Sequence, residues 1–253
     1  MLRILIFALV MLSTSLSGEE AAKVASGTGD LDAVALVRAV ETQYQGDRSH
    51  GKMRMHIQTR SWNRTLELEM WSEGREKLLT RILAPVKERG TCTLKVDDDI
   101  WNYISRIDRM IKIPSSLMGD SWMGSHLTND DLVKENKIDK LYQLAITAQK
   151  DNEVTITGMP FPEAAVVWGK IVYKIDTASL TPLLVEYYDE DNVKVRSMVF
   201  SEFKQIEQRW LPMIARIVPE DKPEEFTEMH YLEIDFSVEL PRDLFSLKSL
   251  RNR

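Results

Sequence analysis

The chain is 253 residues long, 43% hydrophobic and carries a formal net charge of −6 at pH 7. That length suits one large β domain or two small ones, and the apolar fraction can fill a complete core. The acidic balance, without clustered Lys and Arg interleaved with aromatics, argues against a nucleic-acid partner, because phosphate binding needs concentrated cations.

The chain starts with a short basic segment, Met1-Leu2-Arg3, followed by an unbroken apolar run from Ile4 to Leu12 and small residues at Ser13 to Ser17. Ser15 and Ser17 stand at the minus-three and minus-one positions of a cut before Gly18, the layout of a secretory signal peptide over residues 1–17. The apolar run falls short of the roughly 20 residues that span a bilayer. A cleaved leader, a flexible mature N-terminus over 18–29 and a single domain over 30–253 are therefore expected. Cys92 is the one cysteine. It lies far from the cut site, so it is no lipoprotein anchor, and it has no internal partner; within Thr91-Cys92-Thr93-Leu94 it reads as a small buried hydrophobe.

Asp30 is placed to cap a helix over Leu31 to Gln43, with an apolar stripe at Leu31, Val34, Val37 and Val40. From Gly51 the period changes to two. Met53, Met55 and Ile57 alternate with polar residues, and after a gap at Ser61-Trp62-Asn63, Leu66, Leu68 and Met70 do the same. A turn at Glu73-Gly74 leads to a third strand, Arg75 to Leu83. Strands are predicted at Thr91–Val96 and Ile100–Ser105, joined by the Asp97-Asp98-Asp99 turn. Half-buried antiparallel strands produce this alternation.

After Pro114 the period is lost. Ser115 to Thr128 is rich in Gly, Ser, Met and Trp. Thr128 followed by Asp131 three residues later fits a helix-starting capping box, with a short helix to about Lys134. Seven further strands are predicted at 141–149, 153–158, 167–176, 182–188, 193–200, 210–218 and 225–236, with a hairpin turn at Asp189–Asn192 and a short closing helix starting at Pro241. About a dozen strands at this spacing suggest a sandwich or barrel, with the few helices lying in its concavity.

Catalytic and cofactor motifs are missing. Gly119-Asp120-Ser121-Trp122-Met123-Gly124 has one residue too many for a hydrolase elbow and lacks the framing strand and helix. His50, His56, His126 and His230 lack ligand spacing, and the Asp97 triplet lacks the glycine and distal glutamate of a calcium loop, so no metal is expected. No phosphate-cradling glycine loop occurs, so no cofactor is expected either. What stands out is the set of 12 methionines and 6 tryptophans. Met53, Met55, Leu66, Leu68 and Met70 share one strand face, Trp101 and Tyr103 alternate on a later strand, and Met118, Trp122 and Met123 cluster in the Gly-rich loop. Methionine adapts to guests of varied shape, although the same spacing describes an ordinary core. Gly119 and Gly124, with Thr128 after them, would let the loop move as a lid.

Residues 99–133 carry a family resemblance. Asp99-Ile100-Trp101-Asn102-Tyr103-Ile104, then Arg109-Met110-Ile111-Lys112-Ile113-Pro114, then Ser121-Trp122-Met123-Gly124-Ser125-His126-Leu127-Thr128-Asn129-Asp130-Asp131-Leu132 resembles the outer membrane lipoprotein-sorting, LolA-like group of periplasmic proteins. Trp122 stands where that group has Phe, and His126 where an acidic residue is common. The resemblance implies a mainly β (α+β) fold, an incomplete, strongly curved antiparallel β-barrel with helices covering the concave face. It implies a periplasmic, non-catalytic carrier holding a lipid or lipoprotein acyl chain in a hydrophobic cavity. Met53, Met55, Leu66, Leu68, Met70, Trp101, Tyr103, Met118, Trp122 and Met123 are the candidate lining. Members often resemble partners of RND-type or ABC-type export systems, so an inner-membrane transporter partner is a further expectation, and a monomer is expected. Three alternatives stand beside the carrier: an adaptor with a filled core docking on such a transporter, a hydrolase using Ser121, and a transmembrane β-barrel, which the charged rows Lys52-Arg54-His56 and Glu67-Glu69 oppose.

Overall fold

The computed structural model describes residues 31–134 and 137–251, so the expected leader and flexible start, 1–29, lie outside the described residues. Helix α1 (Ala33–Gln45) precedes six strands: β1 (Arg48–Gln58), β2 (Asn63–Glu73), β3 (Lys77–Ala84), β4 (Cys92–Val96), β5 (Asp99–Ile104) and β6 (Arg109–Lys112). Short helices α2 (Asn129–Lys134) and α3 (Ile138–Leu141) follow. Seven more strands complete the chain: β7 (Tyr142–Lys150), β8 (Glu153–Pro160), β9 (Lys170–Asp176), β10 (Thr181–Tyr188), β11 (Lys194–Ile206), β12 (Arg209–Pro219) and β13 (Phe226–Asp235).

All 13 strands form one sheet in the order β6-β5-β4-β3-β2-β1-β13-β12-β11-β10-β9-β8-β7. Every pairing is antiparallel. The sheet is not closed into a barrel: β6 and β7 are its two free edges. Inward residues of β1, β2, β8, β9, β10, β11 and β12 nevertheless meet in one core cluster with α1. Strands that far apart reach a common core only if the sheet curls around it, as the expected incomplete barrel does.

The register explains the curl's inner lining. Met53 pairs with Leu68 and Met55 with Leu66, so the alternate apolar residues of β1 and β2 fall on one face. Their polar neighbours face out, where Arg54 meets Glu67 at 3.2 Å and Lys52 meets Glu233 at 3.0 Å. Gly51 sits where β13 comes close: a Cβ there would lie 2.7 Å from the Glu233 carbonyl oxygen. Just beyond it a bulge shifts the β1–β13 register between Lys52 and Met53.

Some boundaries differ from expectation. The cap of α1 is Asp32 rather than Asp30; its Oδ1 accepts from the Val34 N–H at 2.9 Å. The helix therefore runs two residues later, and its buried stripe is Ala33, Leu36, Val37 and Val40, an i, i+3, i+4, i+7 pattern that leaves Val34 only half-buried. Strand β11 continues to Ile206, past the expected end at Phe200. Glu202 takes a left-handed backbone (φ 55°) and Phe203 returns to pack on the core. The expected helix at Pro241 is replaced by turns, and the last described element is a 3-10 turn at Ser249–Arg251. Among the described residues no helix is long and apolar enough to cross a membrane.

Leu66 is fully buried. Leu66→Ala should lower unfolding free energy by about 2–5 kcal/mol in urea titrations, because the rigid sheet cannot collapse into the cavity. The exposed-face change Glu67→Gln should stay within about 0.5 kcal/mol.

Candidate functional site

The site follows from topology. Chain leaving β6 at one edge must reach β7 at the other, so the described residues 113–134 and 137–141 lie across the open mouth of the curl. This crossing segment covers the concave face with α1, and both contribute to the same core. From the segment, Trp122, Leu127 and Ile138 are buried against the strands.

Local hydrogen bonds give the cover its shape. Ser121 and Thr128 form an isolated antiparallel bridge, and the Trp122 N–H donates to the Leu127 carbonyl at 2.7 Å. Met123 (φ 52°) and Gly124 (φ 75°) make the tight reversal between them. The capping box forms as expected: the Thr128 N–H donates to Asp131 Oδ2 at 2.6 Å, and the Asp131 N–H donates to Thr128 Oγ1 at 3.1 Å. The indole N–H of Trp122 donates to Thr93 Oγ1 at 3.1 Å, anchoring the loop to β4.

Charges hold the cover to the sheet from inside. Arg196, on β11, is 4% exposed, and its Nη2 lies 2.7 Å from Asp131 Oδ1. Its Nη1 donates to the His126 carbonyl. The guanidinium is 4.5 Å from the Trp168 ring centre and 4.3 Å from that of Tyr187. Trp168 Nε1 in turn donates to Asp131 Oδ1 at 3.0 Å. Asp130 pairs with Lys134, and burial pushes its carboxyl above the usual range despite that lysine. Burial, with Asp130 and Asp131 near, pushes the Tyr142 phenol up.

A second set of charges ties α1 to α3. Arg75 Nη2 lies 2.6 Å from both Glu41 and Asp139, and Arg38 Nε donates to Asp139 at 2.7 Å. Burial alone would raise the Asp139 carboxyl, but the hydrogen bonds from Arg75 and Arg38 hold it below its ordinary value.

Little room is left beneath the cover where Arg196 and Asp131 meet. The space framed by Asp130, Asp131, Ile138, Tyr142, Trp168 and Tyr187 amounts to about 10 Å³, roughly the room one water needs. A groove of about 750 Å³ lies elsewhere, where Asp47, Arg48, Glu73, Lys77 and the 236–239 stretch meet, and it is open and charged.

The expected lining residues divide. Met53, Met55, Leu66 and Leu68 are buried on the concave face, with Met70 half-buried beside them. Trp122 is buried in the cover, Met123 packs half-buried on the same core, and Met118 is half-buried in the loop. Trp101 and Tyr103 are not with them. They lie on the opposite face, packed with Leu79, Cys92 and Leu94 under the tail residues Leu244, Phe245 and Leu250. Alternation puts Trp101 and Tyr103 opposite Leu94 and Cys92, one residue out of phase with the inward Thr93. Cys92 is buried there. Of the hinge candidates, Gly119 has open space around its Cβ position, Gly124 has the positive φ, and Thr128 is the cap. Ser121 makes no hydrogen bond to a histidine or carboxylate among the described residues.

Arg196, Trp168 and Tyr187 were not singled out by sequence. The available signal was a charged residue at an inward position of β11, in phase with the buried Met198 and Phe200.

Three solved structures share this architecture. A domain from Vibrio parahaemolyticus, assigned as an outer membrane lipoprotein-sorting protein domain, is 21% identical, covers 87% of this chain and 98% of its own, and has a TM-score of 0.77. A DUF1329 family protein from Desulfovibrio piger is 20% identical, with 86% and 97% covered and a TM-score of 0.78. A LolA superfamily protein from Nitrosomonas europaea is 15% identical, with 86% and 98% covered and a TM-score of 0.72. At these identities the likeness establishes the fold, an open LolA-like sheet with covering helices. The chain belongs to the family whose sequence model, described as "-like: Uncharacterized protein", matches residues 74–252. No curated protein matches it.

Removing one partner of a desolvated ion pair strands the other. Arg196→Met should lower stability by about 3–5 kcal/mol. A double-mutant cycle with Asp131→Asn should give a coupling of about 0.5–3 kcal/mol by chemical denaturation. Coupling near zero would mean that the pair does not hold the cover.

Proposed function

We propose that the protein is a periplasmic, non-catalytic carrier of a lipid or lipoprotein acyl chain, serving outer-membrane lipoprotein sorting or lipid export, and that its resting state is closed by its own crossing segment. The leader over 1–17, cut before Gly18, would deliver it there. The observation that carries this reading is how the apolar concave face is covered: by a segment tied down through desolvated charges, Arg196 with Asp131 above all. Apolar packing alone would make a permanent core. A buried ion pair is net-weak for stability because desolvation offsets its attraction, so such a cover is attached without being locked.

An acyl chain entering behind the cover would lie against Met53, Met55, Leu66, Leu68 and Met70, with Trp122, Met123 and Met118 moving aside on the Gly119 and Gly124 joints. Each methylene buried contributes about 0.8 kcal/mol. A chain of about fourteen can therefore offset several kcal/mol of opening and still bind. Methionines suit this face because they repack around guests of different shape. Trp101 and Tyr103, on the other face, take no part in holding the guest.

The small space left beneath the cover also favours a second reading, a non-carrier adaptor docking on an RND-type or ABC-type transporter. Titration with a fluorescent fatty acid separates the two. A carrier binds saturably at one site and quenches tryptophan emission. Its apparent affinity should rise about tenfold or more in Arg196→Met, provided circular dichroism shows that variant folded, because a closed ground state reduces affinity by the fraction open. No binding by either protein supports the adaptor.

A further inference from the structure

We propose that His126 is a proton-operated release for the cover, so that mild acid opens the concave face. This rests on the reading above that the crossing segment moves as a lid.

His126 sits where the cover meets the rim of β13. Its backbone N–H donates to Thr227 Oγ1 at 3.0 Å, and its Nδ1 lies 2.8 Å from the same oxygen. Its carbonyl accepts from Arg196, so the residue belongs to the attachment that pins Asp131. Thr227 is fully buried.

One hydroxyl thus faces two nitrogens and has one proton to give. All contacts are satisfied in a single arrangement. The backbone N–H donates to Thr227 Oγ1, the Thr227 hydroxyl donates to an unprotonated Nδ1, and the proton on Nε2 points to Glu225, 3.5 Å away. If Nδ1 takes a proton, two N–H groups converge on one oxygen and the hydroxyl hydrogen loses its acceptor in a site closed to water. A buried donor without a partner destabilises the arrangement that holds it.

The charged groups around the ring are Glu225 and Lys222 from the turn before β13 and Arg196 from β11. Glu225, gripped by the backbone N–H of Arg60 at 3.0 Å, favours the imidazolium, whereas Arg196 and Lys222 oppose it. Burial is the largest influence, and it keeps the His126 ring below its ordinary 6.5.

The sign follows from linkage. The closed form binds the proton less readily than an open form with the ring in water, so the advantage of closing is complete above about pH 6.5 and shrinks as pH falls toward the lowered closed-state value. One proton limits the effect to at most about tenfold in the open fraction per pH unit. Asp130, raised by burial, acts in the opposite sense. Glu225 is held low and loses its charge in more acidic solution. A rise in the open fraction as pH falls below about 6.5 therefore has the sign that His126 gives and Asp130 does not. His50, His56 and His230 bond to Glu69, Thr65 and Glu228, away from the cover.

The test needs no guest. The full chain is labelled with 5-fluorotryptophan, and the Trp122 resonance, assigned by its loss in Trp122→Phe, reports open and closed populations by fluorine NMR. The open fraction should rise several-fold from pH 7 to 5.5. In His126→Asn, whose Oδ1 can replace Nδ1 as acceptor, it should be flat. Glu225→Gln should extend the rise to lower pH, since it removes the group that favours the imidazolium, and this arm stands alone should His126→Asn fail to fold. An unchanged open fraction in the wild type, or an equal rise in folded His126→Asn, would overturn the proposal. Fatty-acid binding without this pH response removes only the switch. The pH response without fatty-acid binding removes only the carrier.

Discussion

The constraint on which the structure depends is that strands consecutive in sequence, β6 and β7, stand at opposite edges of a sheet that does not close. The chain between them must cross the open side. A curled sheet with one apolar face needs a cover there, since exposed apolar patches of that size are unfavourable in water. The crossing segment supplies it, and α1, amphipathic but too short to be stable alone, fills the rest. The cover and the concave face it hides are therefore one feature.

The quality of the attachment decides what the cover can do. A wholly apolar plug would bind as a core does. Here Arg196, Asp131 and Asp130 lie inside the interface, and Arg75 couples Glu41 of α1 to Asp139 of α3. Groups of this kind favour one arrangement through geometry while adding little net stability. They also respond to protonation and to exchange of partners, which apolar contacts do not. The aromatic faces of Trp168 and Tyr187 hold the Arg196 side chain in place without neutralising it.

Much of the fold was legible because half-buried strands print their period. β1 and β2 were readable from Met53-Met55-Ile57 and Leu66-Leu68, and the capping box from Thr128 and Asp131. Alternation says that two residues share a face; it does not say which face is concave. That is why the sequence groups Trp101 and Tyr103 with the methionines although they lie under the C-terminal tail. Arg196 is hidden in the sequence for a related reason. The inward row of β11 reads Lys194, Arg196, Met198, Phe200, so its charged half looks like an outer face until Asp131 is brought to it from 65 residues away. The closing helix expected at Pro241 does not form although Leu244, Leu247 and Leu250 recur at helical spacing; the stretch runs through turns instead and packs Leu244, Phe245 and Leu250 on the outer face.

The central claim is that a guest enters by displacing the crossing segment. The direct measurement is the distance between spin labels at Leu117→Cys, in the cover, and Val199→Cys, on the outer face of β11, both exposed positions, in a Cys92→Ala background. Pulsed electron resonance should show one narrow distribution for the protein alone and a distribution lengthened by several ångströms with saturating palmitate. An unchanged distribution with palmitate demonstrably bound would contradict it.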